Sequence, residues 1–134
     1  MRSMLDKTAY VAGPMRDHPK LNFPLFFYVE NQLINAGATT FNPARKDVEA
    51  GLDWETLDGT IEQLNAVNFD MREAIEWDVL AIIRECDSIV LLPGWKKSAG
   101  AKTEYALAKF LELDIYEWHD NDIFTISGRI YLDV

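Results

Sequence analysis

The sequence predicts one α/β domain, a mainly parallel sheet with helices over both faces. Three observations carry this. Short apolar runs alternate with longer segments of helical period along most of the 134 residues. The run Ser88-Ile89-Val90-Leu91-Leu92 is continuous rather than alternating, as in a strand buried on both sides. Two such runs stop at Gly13-Pro14 and at Pro93-Gly94, turn pairs that set loops at strand ends.

In chain order, Thr8 to Ala12 reads as the first strand. Asn22 is placed to cap a helix running to about Ala36, with Pro24 in its first turn and Gly37 as a left-handed residue at its end. A second short strand, Thr39 to Asn42, is cut off by Pro43. From about Arg45 to Phe69 the pattern is weakest, and this stretch reads as a partly helical flap near the site. A strong helix spans about Asp70 to Glu85, followed by the Ser88–Leu92 strand and a helix over Ser98 to Leu113. Ile115-Tyr116 starts a further strand, and Phe124 to Val134 reads as one more, at an edge or a subunit contact. No repeat, linker or low-complexity tract interrupts 1–134, a single domain. The expected architecture is a Rossmann- or flavodoxin-like three-layer sandwich, and in such sheets ligands bind outside the carboxyl ends of the strands. The loops Gly13 to Arg16 and Pro93 to Gly100 both meet that condition.

Composition narrows the partners. A formal net charge of -9 argues against a broad basic face for a nucleic acid polymer. A phosphorylated small molecule fits if its phosphate is held locally by amides, hydroxyls and one arginine. Cys86 is the only cysteine, so no internal disulfide framework is expected, and it reads as a buried inert thiol. Met1 to Lys7 is not a signal peptide, and no run approaches the roughly 20 apolar residues of a membrane span. A cytoplasmic protein without membrane contact is expected. His18 and His119 lack ligand-like neighbours, so no metal is expected.

Two carboxylates lie on the wrong faces of their helices. At about 100° per residue, Met71, Ala74, Ile75, Val79, Ile82 and Ile83 form one apolar face, and Asp78 falls inside it. On the Ser98–Leu113 helix, Lys102, Lys109 and Glu112 mark the solvent side. Glu104 lies away from them beside Leu107, Ala108 and Leu111, close to the positive end of the helix dipole. One such acid alone reads equally well as a stripe-edge residue paired with an amide or a cation. Two of them, on helices flanking one central strand, point to a shared site. Paired carboxylates suit chemistry at an anomeric carbon, where one attacks and the other handles a proton. Asp87, just before a strand, reads as a structural cap or turn residue.

The loops offer groups for a sugar or phosphate. Ser98, Gly100 and the helix N-terminus supply a hydroxyl and free amides, and Gly13 permits close backbone approach. Arg16 is either a phosphate partner or a solvated surface arginine. Trp95 either stacks on a base or packs within its loop. Tyr10 either points its hydroxyl into the cleft or is a core tyrosine.

The runs Tyr10-Val-Ala-Gly-Pro-Met-Arg16 and Gly94-Trp-Lys-Lys-Ser98-Ala-Gly100-Ala-Lys-Thr-Glu104, with Asp78 and Asp87 between them, resemble the nucleoside 2-deoxyribosyltransferase superfamily. The likeness is nearest to a small, often phage-borne branch with a Gly-Trp-x-x-Ser-x-Gly-Ala-x-x-Glu signature, and covers about Tyr10 to Tyr116. It implies that Glu104 is the nucleophile at the deoxyribose anomeric carbon, that Asp78 assists the leaving base, and that Tyr10 places the nucleophile. It also implies a homo-oligomer whose site a neighbour helps to complete. Free-nucleoside transferases carry an aspartate six residues before the nucleophile, where this chain has Ser98. The similar deoxynucleoside 5′-monophosphate N-glycosidases carry a serine there, and an arginine matching Arg16. An aspartate repels phosphate and a serine can donate to it, so a monophosphate is favoured. Pro14 departs from that pattern, since those glycosidases have a serine in its place.

The expected activity is cleavage of the N-glycosidic bond of a deoxynucleoside 5′-monophosphate or deoxynucleoside, by hydrolysis or base exchange, without metal or organic cofactor. Two alternatives stand beside it: a non-catalytic binder of a nucleotide or nucleotide-derived signal, and an N-glycosidase acting on a nicotinamide dinucleotide.

Overall fold

The computed structural model describes residues 1–126. The strands are β1 (Thr8–Ala12), β2 (Thr39–Phe41), β3 (Ser88–Leu91), β4 (Asp114–His119) and β5 (Asp122–Thr125). They form one sheet in the order β2-β1-β3-β4-β5, parallel except for the antiparallel β4–β5 hairpin. Asp120 and Asn121 turn that hairpin with positive φ, a conformation their short polar side chains tolerate. Strand order reverses between β1 and β3, so the crevice expected of this topology lies beyond their carboxyl ends.

Helix α1 (Phe23–Asn35) covers one face. It buries Phe23, Phe26, Val29 and Leu33 with Ala9, Val11, Val90 and Leu92 of the central strands. Helices α4 (Met71–Arg84) and α5 (Ala99–Phe110) cover the other, where Ala81, Ile82, Ala101, Tyr105 and Ala108 meet Tyr10, Ala12, Ile89 and Leu91. Period-two alternation in β1 and β3 divides the two cores and sends Tyr10 to the α4–α5 side. The three layers and the mainly parallel sheet are those expected. Among the described residues no helix is long and apolar enough to cross a membrane.

Several local expectations are corrected. Asn22 does not cap α1 with its side chain. It takes a left-handed backbone (φ 60°) and donates from Nδ2 to the Pro14 carbonyl at 3.0 Å, bracing the first loop. Gly37 does close α1, with φ 106° and its amide on the Ile34 carbonyl. Helix α5 stops at Phe110, because Glu112 turns left-handed at φ 60° and ends the helix earlier than the apolar pattern suggests. Ile75 and Ile83 are half exposed, since the sheet covers only part of the α4 stripe. The final strand begins at Asp122, and its expected continuation through 127–134 lies outside the described residues.

The unreadable segment folds into α2 (Pro43–Glu49), a loop and α3 (Ile61–Ala66). Pro43 starts α2 instead of merely ending β2, and the Asn42 side chain caps it by accepting from the Ala44 amide at 2.9 Å. Arg45 donates from Nε and Nη2 to the buried Glu30 carboxylate at 2.7 and 2.5 Å, tying α2 to α1. Trp54 packs against Phe23 and Phe27, both centroids 5.8 Å away. The Asp17 and Lys20 amides donate to the Gly59 and Leu57 carbonyls, each at 2.8 Å, so the flap is laced to the first loop. At Gly59 (φ 90°) a Cβ would lie 2.2 Å from the His18 carbonyl oxygen, so only glycine permits this lacing.

Candidate active site

Tyr10 is fully buried, and its hydroxyl donates to Glu104 Oε2. Burial pushes the phenol well above its ordinary range, and the Glu104 and Asp78 charges push it further. It therefore stays neutral and remains a donor at any physiological pH. Glu104 stands in the second turn of α5. Burial pushes its carboxyl up to about 8; the Tyr10 hydrogen bond opposes this and the nearby Asp78 charge adds to it. Asp78 stands in α4, one turn beyond Ala74. Its carboxyl is pushed up to about 7, first by burial and then by Asp47, against the pull of Tyr10 and Lys46.

The two misplaced acids thus converge, through one tyrosine, on the middle of β1. The structure adds a third that the sequence reading missed. Asp47 of α2 is 9% exposed, and burial pushes its carboxyl up to about 7. No side-chain hydrogen bond or ion pair engages it among the described residues, and it lines an open cavity. A signal for it existed. Projected as a helix begun at Pro43, Asp47 shares a face with the buried Pro43 and Ala44 and lies opposite Arg45 and Glu49.

The residues proposed for sugar and phosphate have separate placements. Arg16 is exposed in the first loop and makes no ion pair among the described residues. Gly13 is needed for packing: a Cβ there would sit 2.7 Å from Leu92 Cβ. Gly94 (φ 87°) abuts Pro14, which brings the first loop and the loop after β3 side by side. Ser98 caps α5, its Oγ accepting from the Ala101 amide at 3.2 Å, which leaves the hydroxyl hydrogen able to donate. Gly100 is exposed in the first turn of α5, with open space where a Cβ would be.

Trp95 answers to the packing alternative. It is 2% exposed, stacks at a tilt on Tyr105 with centroids 4.9 Å apart, and donates from Nε1 to Glu117 Oε2 at 3.0 Å. Its ring offers no open face for a base, because the sheet and α5 enclose it. Asp87 is structural as expected. Its carboxylate accepts from the Thr8 amide at 3.1 Å, and its backbone pairs with both Thr8 and Asp114. Cys86 is buried, and its thiol is pushed up to about 12, which keeps it protonated and inert.

A cavity of about 550 Å³ opens on the Asp47 side of the cluster, walled by α2, the flap and the start of α4. Asp47, Leu52, Phe69, Glu73 and Ala74 line it, whereas Tyr10 and Glu104 do not. Among the described residues no group of His, Cys, Asp and Glu is placed to hold a metal ion.

A family model described as a domain of unknown function (DUF4406) matches residues 7–117, and the chain belongs to that family. No curated protein matches the chain, and no solved structure does.

Proposed function

We propose that this chain cleaves the N-glycosidic bond of a deoxynucleoside 5′-monophosphate or deoxynucleoside, through a covalent glycosyl ester on Glu104. One observation carries the reading: the Tyr10 hydroxyl donates to a part-buried Glu104 carboxyl whose neighbour Asp78 is a second proton-holding carboxyl. Two such groups titrate as a pair and hold one proton between them near neutral pH. In the reactive arrangement Glu104 is ionised, steadied by Tyr10, and the proton sits on Asp78.

Glu104 then attacks C1′ as the C1′–N bond breaks. The electron pair leaves on the base nitrogen, which takes the proton from Asp78. Water attacks C1′ of the ester, gives its proton to the Asp78 carboxylate and releases Glu104; in base exchange a second base replaces the water. Arg16, the Ser98 hydroxyl and the amides near Gly13 and Gly100 are the groups for a 5′-phosphate. The resemblance to nucleoside 2-deoxyribosyltransferases and to monophosphate N-glycosidases supports this assignment, and neither metal nor organic cofactor enters it. Half-exposed Ile75 and Ile83 and the strongly exposed Phe110 suit the homo-oligomer that the resemblance implies.

A second reading, a non-catalytic nucleotide binder, draws on the raised Glu104 value, since a neutral carboxyl is also a good partner for a ribose hydroxyl. Chromatography of free base released from deoxynucleoside monophosphates, deoxynucleosides and a nicotinamide dinucleotide, for wild type and Glu104→Gln, separates these readings. Release from monophosphates that vanishes in the variant is the expected result. Release only from nucleosides, and only with an acceptor base present, moves the activity to transfer. Cleavage of the dinucleotide alone moves it to that substrate. Binding without any release leaves the binder.

A further inference from the structure

The cavity beside Asp47 has no role in the chemistry above, and its lining is lopsided. Its ionisable groups are Asp47, Asp53, Asp70 and Glu73 against one cation, Lys46. One Asp70 oxygen is already taken, accepting from the Glu73 amide at 3.0 Å to cap α4. Asp47 has no such occupation. It is nine-tenths buried and lines the cavity, and its side chain has neither hydrogen bond nor ion pair among the described residues. Lys46 acts on it only as a neighbouring charge. The Asp47 oxygens face the open cavity rather than being sealed in the core, so a donor brought in by a ligand can reach them.

The cavity lies one helical turn along α4 from Asp78. Ala74 lines it, and Asp78 lies four residues later on the same face of α4. The Asp47 charge is felt at both Asp78 and Tyr10. The volume admits a flat heterocycle, and Leu52 and Phe69 supply apolar wall for its faces.

We propose that Asp47 is the specificity-determining residue for the base, the cavity taking a nucleobase whose exocyclic amino group donates to the Asp47 carboxylate. The inference rests on the N-glycosidase reading for its ligand class. A keto edge presents lone pairs to a wall already rich in acceptors, whereas an amino group presents hydrogens. Cytosine, adenine and guanine meet this condition; uracil and hypoxanthine, which lack the amino group, do not.

The test is calorimetric titration of wild type, Asp47→Ala and Asp47→Asn with two matched pairs, dCMP against dUMP and dGMP against dIMP, with base release followed in parallel. Wild type is expected to favour the amino member of at least one pair by about 10-fold or more, as a charged hydrogen bond allows. That preference should fall to within about 3-fold in Asp47→Ala and shrink in Asp47→Asn. Circular dichroism checks the fold of each variant, and Asp47→Asn decides if Asp47→Ala does not fold. Equal affinity within both pairs, a preference that survives in the folded variants, or no binding of any of the four overturns the proposal. Amino preference dependent on Asp47 without base release upholds the assignment of Asp47 and sinks the N-glycosidase reading alone. Base release with no dependence on Asp47 does the reverse.

Discussion

The two halves of the candidate site differ in how their polar groups are satisfied. On the β1–α5 side, Tyr10 is buried in the core and spends its hydroxyl on Glu104. On the α2–flap side, Asp47 is almost as buried and spends its carboxyl on nothing among the described residues. The first half is built on a central strand and a capped helix. The second is built on a seven-residue helix and a loop held by Arg45–Glu30 and the Trp54 aromatic cluster. On the proposed mechanism the groups that hold one geometry through the reaction sit on the rigid frame, and an acid whose side chain has no partner suits a place where the partner arrives with the ligand.

The contrast can be broken most decisively at Glu104. Glu104→Gln is expected to lower base release by about 10⁴-fold or more while nucleotide binding by calorimetry survives, since a nucleophile has no substitute. Asp78→Asn removes the proton donor of the proposed mechanism and should cost about 10²–10⁴-fold in kcat. That loss should be smaller for substrates with good leaving groups, such as nitrophenyl-type glycosides compared in the same assay.

Tyr10→Phe tests the partnered half directly. It should cost about 10–100-fold in kcat, in line with loss of one charge-assisted hydrogen bond. Because the hydroxyl holds Glu104 down, its removal should move the ascending limb of the pH–rate profile to higher pH. An unmoved limb would detach Tyr10 from the nucleophile. Ser98→Asp should raise KM for monophosphates by about 10-fold and leave deoxynucleosides nearly unaffected, through repulsion of the phosphate.

The smallest effect separates the halves by stability. Asp47, Asp78 and Glu104 all have folded-state values raised to about 7 or 8, above those of an unfolded chain. Between about pH 4 and those values the folded state holds more protons, so stability falls as pH rises through that window and levels off above it. Thermal melts should show Tm lower at pH 8.5 than at pH 5.5 by several degrees, on the order of 2–4 °C per kcal/mol. Asp47→Asn should flatten part of that slope and raise Tm at pH 8.5, because it removes a buried charge with no partner. A Tm that rises with pH would contradict the buried state of all three acids.

How much was legible differs residue by residue. Glu104 and Asp78 were readable because each sits in a helix long enough for its faces to be told apart, and a carboxylate inside an apolar stripe stands out. Asp47 was missed, because its helical pattern shows only once Pro43 is taken as the start of α2, a helix of under two full turns. The same arithmetic overreached at Ile75 and Ile83, where period shows which residues share a face but not how much of it the sheet covers. Trp95 read as a loop aromatic because nothing in the order of residues places Glu117 and Tyr105 around it.

The sequence by itself determined the layered α/β architecture, the positions of β1, β3, α4 and α5, and the loops at the carboxyl ends of the central strands. These follow from local periodicity, proline and glycine, which act over a few residues. Only the tertiary structure decided that Tyr10 from β1, Asp47 from α2, Asp78 from α4 and Glu104 from α5 lie near enough to act on one another's charge in a part-buried cluster. It also decided that the flap closes against the first loop and leaves a cavity beside Asp47. The physical reason is range. Hydrogen bonding and turn chemistry are written along the chain, but the depth at which a carboxyl is buried, and hence its charge, depends on every element packed around it.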